Sequence, residues 1–147
     1  MKKLALILLA MAISLSLFRS NLAQAEEISI TEQNVAQLHG EWEGEWIPHV
    51  IAKKRSFSSW QSELIVENDS LPLKVMLKYQ HYGDMVLRPD GSGSIEEGKL
   101  LIKWEKSQWL RLTLYVSKSG EMKLYGDFYL EGDRGEMVSG QVKFVKK

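Results

Sequence analysis

Gly40-Glu41-Trp42-Glu43-Gly44-Glu45-Trp46 alternates strictly, with Glu41, Glu43 and Glu45 in one series and Trp42, Gly44 and Trp46 in the other. A period of two marks a β-strand with one wet face and one dry face. Each indole on the dry face covers roughly 150–250 Å² of apolar surface, so the spacing predicts a sheet whose other strands are laid over Trp42 and Trp46. Gly40 and Gly44 carry no side chain, which lets a second backbone come close or lets the strand bend as a closing barrel requires.

The same period recurs along the rest of the chain. Pro48 ends the first strand, and Lys53-Lys54-Arg55 reads as solvated charge on a long connection. Trp60, Ser62, Leu64 and Val66 then share a face, as do Leu73, Val75, Leu77 and Tyr79 after the Asn68-Asp69-Ser70 turn. Met85-Val86-Leu87 reads as a short strand closed by a turn at Arg88-Pro89-Asp90-Gly91, with Ser92-Gly93-Ser94 extending the loop. Leu100, Ile102 and Trp104 follow, then Leu110, Leu112, Leu114 and Val116 against Arg111, Thr113 and Tyr115. After a hairpin at Lys118-Ser119-Gly120, Met122, Leu124, Gly126, Phe128 and Leu130 form one face, with a bend or bulge expected at Gly126. Gly132-Asp133-Arg134-Gly135 turns the chain, and Val138, Gly140, Val142 and Phe144 form the last inner face. Eight to ten strands joined by short turns predict an all-β antiparallel up-and-down meander. Closure into a barrel would remove the two exposed edges of such a sheet. The competing arrangement is a strongly curved open sheet or a two-layer sandwich. Pairing between the Gly40–Trp46 and Val138–Phe144 strands decides between them.

Before the first strand, Ser29-Ile30-Thr31-Glu32 has the capping-box form and Val35 and Leu38 are three apart, which predicts a short helix over Glu32–Leu38. Further back, the basic head Met1-Lys2-Lys3, the apolar run Leu4–Phe18 and the end Ala23-Gln24-Ala25 make a secretory signal, too short to span a membrane and with cleavage expected after Ala25. The expected organisation is therefore a signal peptide over 1–25, a segment with a short helix over 26–39 and a β-barrel domain over 40–147. Cleavage would remove Lys2, Lys3 and Arg19 from a chain with 19 basic and 19 acidic residues, leaving a slight negative excess. That balance disfavours nucleic acid and gives no stable membrane anchor. The chain has no cysteine, so its stability rests on its core and not on disulfides. The protein is expected to be secreted or periplasmic.

Gly40-x-Trp42, placed after a short helix at the start of the first strand, resembles the signature of lipocalins and related small ligand-binding barrels. The resemblance implies that Gly40 and Trp42 close one end of a barrel, with the tryptophan lying beneath a side chain from a late strand. Arg111 and Arg134 are the candidates for that cover. It also implies a cavity opening at the other end, towards which Trp46 would point.

No catalytic constellation emerges. His39, His49 and His81 have no metal-binding spacing, no serine sits in a Gly-x-Ser-x-Gly elbow, and Glu41, Glu43 and Glu45 read as a solvated face and not as paired acids. The protein is therefore expected to be non-enzymatic, with no metal and no cofactor. Its aromatic residues suggest binding, with Trp46, Trp60, Tyr79, Trp109 and Tyr115 as candidate ligand contacts. One expectation is a carrier of a small hydrophobic or amphiphilic molecule, in a cavity of a few hundred Å³ lined by Leu64, Val75, Leu112 and Phe128. The alternative is a surface module for envelope polysaccharide or a protein partner, with the interior filled and Trp109 on an exposed aromatic patch. A stacking platform for sugar would use Trp109, which lies on the polar-side face with Arg111 and Thr113.

Overall fold

The computed structural model describes residues 25–48, 60–81, 84–105, 107–131 and 137–147, with backbone only at Pro48, Trp60 and His81. The expected signal up to Gln24, the basic run Lys53-Lys54-Arg55, His49 and the turn carrying Arg134 lie outside the described residues. Within them are nine strands: β1 (Ala25–Ile28), β2 (Gly40–Pro48), β3 (Trp60–Val66), β4 (Leu73–His81), β5 (Asp84–Glu96), β6 (Lys99–Lys103), β7 (Trp109–Ser117), β8 (Met122–Glu131) and β9 (Met137–Lys146).

Strands β2 to β9 form a closed ring of eight, each antiparallel to its neighbours. The sheet order β7-β6-β5-β4-β3-β2-β9-β8 is joined end to end by the β7–β8 pairing. The deciding pair is β2–β9, where Trp46 lies opposite Val142 and Gly44 opposite Phe144. This excludes the open sheet and the sandwich. Strand β1 lies along β7 beyond the end of β6, with Ile28 opposite Leu114, while β6 covers β7 from Trp109 to Leu112. The alternation of the sequence becomes the inside and outside of the barrel. Trp42, Leu64, Val75, Leu77, Leu112, Leu114, Leu124, Phe128 and Phe144 are all buried in one core. Eight strands enclose a space just wide enough for side chains to fill.

At Gly44 the barrel wall is tight: a Cβ there would sit 2.1 Å from the Lys143 carbonyl oxygen and 2.5 Å from a Phe144 ring carbon. The expected close approach of a second backbone is thus realised by β9. Gly40 has φ +123°, a conformation that side chains rarely adopt, at the point where the chain turns into β2.

Three expectations change. The segment before β2 forms no α-helix; a single 3₁₀ turn spans Val35–Leu38, and the Ser29–Glu32 capping box is not used. Asn34 organises the turn instead: its Oδ1 accepts from the Thr31 amide at 2.8 Å and its Nδ2 donates to the Ser29 carbonyl at 2.9 Å. Gly126 causes neither bend nor bulge, since pairing runs unbroken through it on both sides; its lack of a side chain lets the Arg111 carbonyl approach. Finally, Arg88-Pro89-Asp90-Gly91 is not a turn between two strands. Strand β5 runs through it as 13 residues, with a bulge where Val75 faces Gly91 and Leu77 faces Arg88. Asp90 takes φ 61° there, and among the described residues β5 from Asp84 to Gly91 is paired only to β4, so Pro89 removes no second ladder bond.

Candidate functional site

The closed end is built on Trp42. Its ring is fully buried, its Nε1–H donates to the Leu38 carbonyl at 2.9 Å, and the Lys146 ammonium lies 5.6 Å from the ring centre. Lys146 also donates to the Gln37 carbonyl, tying the last strand to the 3₁₀ turn. The late-strand cover is therefore a lysine of β9. Arg111, one of the two expected candidates, points outward to an ion pair with Glu97 at 2.8 Å; the other, Arg134, lies outside the described residues.

Of the five expected ligand contacts, Trp46 and Tyr79 meet inside the barrel, while Trp109 and Tyr115 lie apart from them on its outer face. Trp46 and Tyr79 are interior and 2% or less exposed; Trp46 packs edge-on to Tyr79 at 4.8 Å and against Phe128 at 4.6 Å between ring centres. Trp46 Nε1–H donates to the Gln80 carbonyl at 3.1 Å and the Tyr79 hydroxyl to the Glu131 carbonyl at 3.3 Å. The void that these rings border, with Leu77, Leu110, Leu130, Val142 and Phe144, has a volume of about 10 Å³. That is room for one water at most. Of Trp60 only the backbone is described, opposite Trp46. Trp109 and Tyr115 lie on the outer face of β7, half-buried.

The outer face carries two features that strand register joins. Trp109 pairs across the strands with Tyr129, the rings stacked at 6.3 Å with 29° between planes. Four residues along β8, roughly 13 Å away, Tyr125 is 42% exposed and its hydroxyl donates to Gln141 Oε1 at 2.9 Å. Tyr125 sits opposite Lys143, Lys143 opposite Glu45 and Glu45 opposite Gln61. This row leads into a groove of about 750 Å³ bordered by Glu43, Glu45, Gln61, Glu63, Lys143 and Lys147. The sequence reading puts Trp109 on the outer face but does not single out Tyr125 or Tyr129 from the other aromatic residues, nor the groove. The outward position of both tyrosines, beside Asp127 in the β8 alternation, was the signal available.

Electrostatically the groove is held at one end by Lys147. Lys147 Nζ reaches Glu63 at 2.9 Å, Glu43 at 3.2 Å and Glu41 at 3.3 Å, and Lys78 reaches Glu63 from the other side at 3.3 Å. The hydrogen bond from Lys147 holds the Glu63 carboxyl below its ordinary value, against the opposing effect of burial and with help from Lys78. Lys147 is shifted upward, chiefly by Glu63 and then by Glu43. A carboxyl lowered on folding adds stability that is present above its unfolded value of 4.5 and is lost as pH falls through the folded value. Acid titration of unfolding should therefore show a loss below about pH 4.5 that is smaller in Glu63→Gln. Because the pair is solvent-exposed, the difference should be under about 1 kcal/mol and should shrink with added salt. An identical acid limb in both proteins would contradict this.

Among the described residues no group of three or more His, Asp or Glu side chains is placed to hold a metal ion. Neither known protein families, curated proteins nor solved structures include a match to this chain. What the fold itself defines is a closed eight-stranded antiparallel up-and-down barrel whose described inner rings at Trp46, Tyr79 and Phe128 border a void of only about 10 Å³, with a polar-aromatic outer face.

Proposed function

We propose that the protein is an exported, non-enzymatic binding module of lipocalin-like architecture that engages a polysaccharide with the outer face of β7, β8, β9, β2 and β3. The observation that carries this reading is the row Tyr125–Lys143–Glu45–Gln61, which sets an exposed ring one strand away from a groove of carboxylate, amide and ammonium groups. Sugars present apolar C–H faces that stack on aromatic rings and rims of hydroxyls that need donors and acceptors. Tyr125 and the stacked Trp109–Tyr129 pair offer the first at two points roughly 13 Å apart, the span of a few sugar rings. Gln61, Glu43, Glu45 and Gln141 offer the second. The lipocalin-like part rests on Gly40-x-Trp42 and on the way Lys146 covers Trp42. Export rests on the basic head, apolar run and Ala23-Gln24-Ala25 end of the leader.

The interior is the weaker candidate. A carrier needs a cavity of a few hundred Å³, and here Trp46, Tyr79 and Phe128 leave about 10 Å³. The test is affinity electrophoresis through gels containing envelope and neutral polysaccharides. At least one polymer should retard the protein, and Tyr125→Ala and Trp109→Ala should each weaken binding by about tenfold, equivalent to about 1.4 kcal/mol. The remote Leu71→Ser should behave as wild type. No retardation by any polymer, or retardation indifferent to both aromatic substitutions, would refute the assignment.

A further inference from the structure

Part of the barrel wall ends in an open strand edge. Strand β6 is five residues long and last meets β5 where Lys103 lies opposite Ser92; the chain then turns back into β7, with the Trp104 amide donating to the Gln108 carbonyl. From Gly91 back to Asp84, β5 has β4 on one side and, among the described residues, no strand on the other. Alternate residues of such an edge turn their N–H and C=O to the open side, which makes it a template for another strand. Native edges are commonly blunted by outward charge, yet the outward residues here are Met85 and Leu87, 63% and 50% exposed. Val86 and Arg88 belong to the inward series: Val86 packs on the core, and Arg88 Nη2 donates to the Glu131 carbonyl at 2.8 Å. Asp84 continues that series and is exposed; among the described residues neither it nor Arg88 has an ion pair.

This edge is complementary to itself. Two copies related by a two-fold axis pair their edges antiparallel, and one residue then lies opposite its own copy. Centred on Arg88, the pairing sets two guanidinium groups face to face; centred on Leu87, it sets Asp84 against Asp90 and draws in Pro89, which has no N–H to give. Centred on Met85, it sets Asp84 against Val86 and uses little of the edge. Centred on Val86, it places Asp84 opposite Arg88 and Met85 opposite Leu87, each twice by symmetry. Facing residues share a side of the sheet, so the opposite charges meet on the inner side and the apolar side chains on the outer one. Pro89 and the bulge that follows, with Asp90 at φ 61°, fall just outside the paired stretch.

We propose that the open edge Asp84–Arg88 pairs with the same edge of a second copy, giving a two-fold dimer in which the sheets of two barrels join through their β5 strands. A strand from a different protein would meet the same backbone groups, but a second copy brings the opposite charge to both ends of the stretch and an apolar partner to both Met85 and Leu87. The contact is short, so the dimer is reversible and its population rises with concentration. The pairing does not rest on the polysaccharide reading: Asp84 and Leu87 are not among the residues bordering the outer groove, although Met85 is.

Sedimentation equilibrium of the purified protein at up to about 100 μM should show monomer and dimer in exchange. Leu87→Lys and Asp84→Lys should each weaken association by about tenfold or more, because symmetry makes each substitution count twice: the first sets a charge against Met85, the second a cation against Arg88. Both positions are exposed, so the barrel itself should tolerate either change. The register is read separately. The chain has no cysteine, so Val86→Cys places a single thiol opposite its own copy, at the roughly 4.5–5.5 Å Cα separation of facing residues, which a disulfide can span. Mild oxidation should link Val86→Cys into covalent dimers and leave Leu71→Cys, an exposed position before the far end of β4, monomeric. A protein monomeric throughout that range would overturn the proposal and leave the edge to a strand of a different chain. A dimer indifferent to both lysine substitutions, or Val86→Cys linking no faster than Leu71→Cys, would overturn it as well. If Val86→Cys fails to fold, the two lysine variants decide alone.

Discussion

Trp42→Ala should be among the most destabilising single substitutions in this barrel, lowering the free energy of unfolding by about 3–5 kcal/mol. Three contributions are lost together. The indole fills the closed end with no solvent exposure, its N–H satisfies the Leu38 carbonyl, and its face carries the Lys146 ammonium. Against a total of about 5–15 kcal/mol for a domain of this size, that loss is a large fraction. Thermal unfolding should fall by roughly 10–25 °C. Two milder variants separate the contributions. Trp42→Phe keeps a ring but orphans the Leu38 carbonyl, at a cost of about 1–3 kcal/mol. Lys146→Met keeps the aliphatic stem and loses the cation–π contact and the Gln37 bond, for about 1–2 kcal/mol. Calorimetric melts of the three should rank Trp42→Ala well below the other two. A Trp42→Ala protein within about 1 kcal/mol of wild type would mean that the 3₁₀ turn and not the indole closes the barrel.

The sequence made most of this barrel legible because inside and outside differ in composition along β2, β4, β7, β8 and β9, where a period of two survives without interruption. It misled wherever a local pattern had a tertiary solution. Arg88-Pro89-Asp90-Gly91 has turn chemistry, yet β4 supplies a ladder that a bulge can rejoin, so the strand continues. Ser29 and Glu32 have the spacing of a capping box, but the Asn34 side chain bonds Thr31 and Ser29 and tightens the turn to four residues. Strand β1 is four residues long and carries one half-buried aliphatic, Ile28, too little for periodicity to register. Lys146 reads as part of a basic tail until β9 is laid against β2. The candidate site was the least visible, because it is a property of register: Tyr125, Lys143, Glu45 and Gln61 come from four strands, and no pattern within one strand shows that they form a row.

Trp46→Ala should produce the second large effect, of a kind that reports on the interior directly. The indole packs against Tyr79 and Phe128 at ring-centre distances below 5 Å and borders the one small void among these residues. Removing it costs about 3–5 kcal/mol through lost burial and through the cavity left behind. That cavity would be walled by Leu77, Leu110, Phe128, Leu130, Val142 and Phe144, with Tyr79 and Ser62 beside them. A mainly apolar enclosure of this sort takes up small apolar molecules. Benzene or indole should therefore raise the melting temperature of the variant, by the equivalent of about 2.7 kcal/mol at a hundred times the dissociation constant, and leave the wild type unmoved. The outer face should be indifferent, so polysaccharide binding below the melting temperature should survive the substitution. Equal stabilisation of wild type and variant would show that the native interior already admits a ligand, and would shift the functional assignment from the outer face to a carrier.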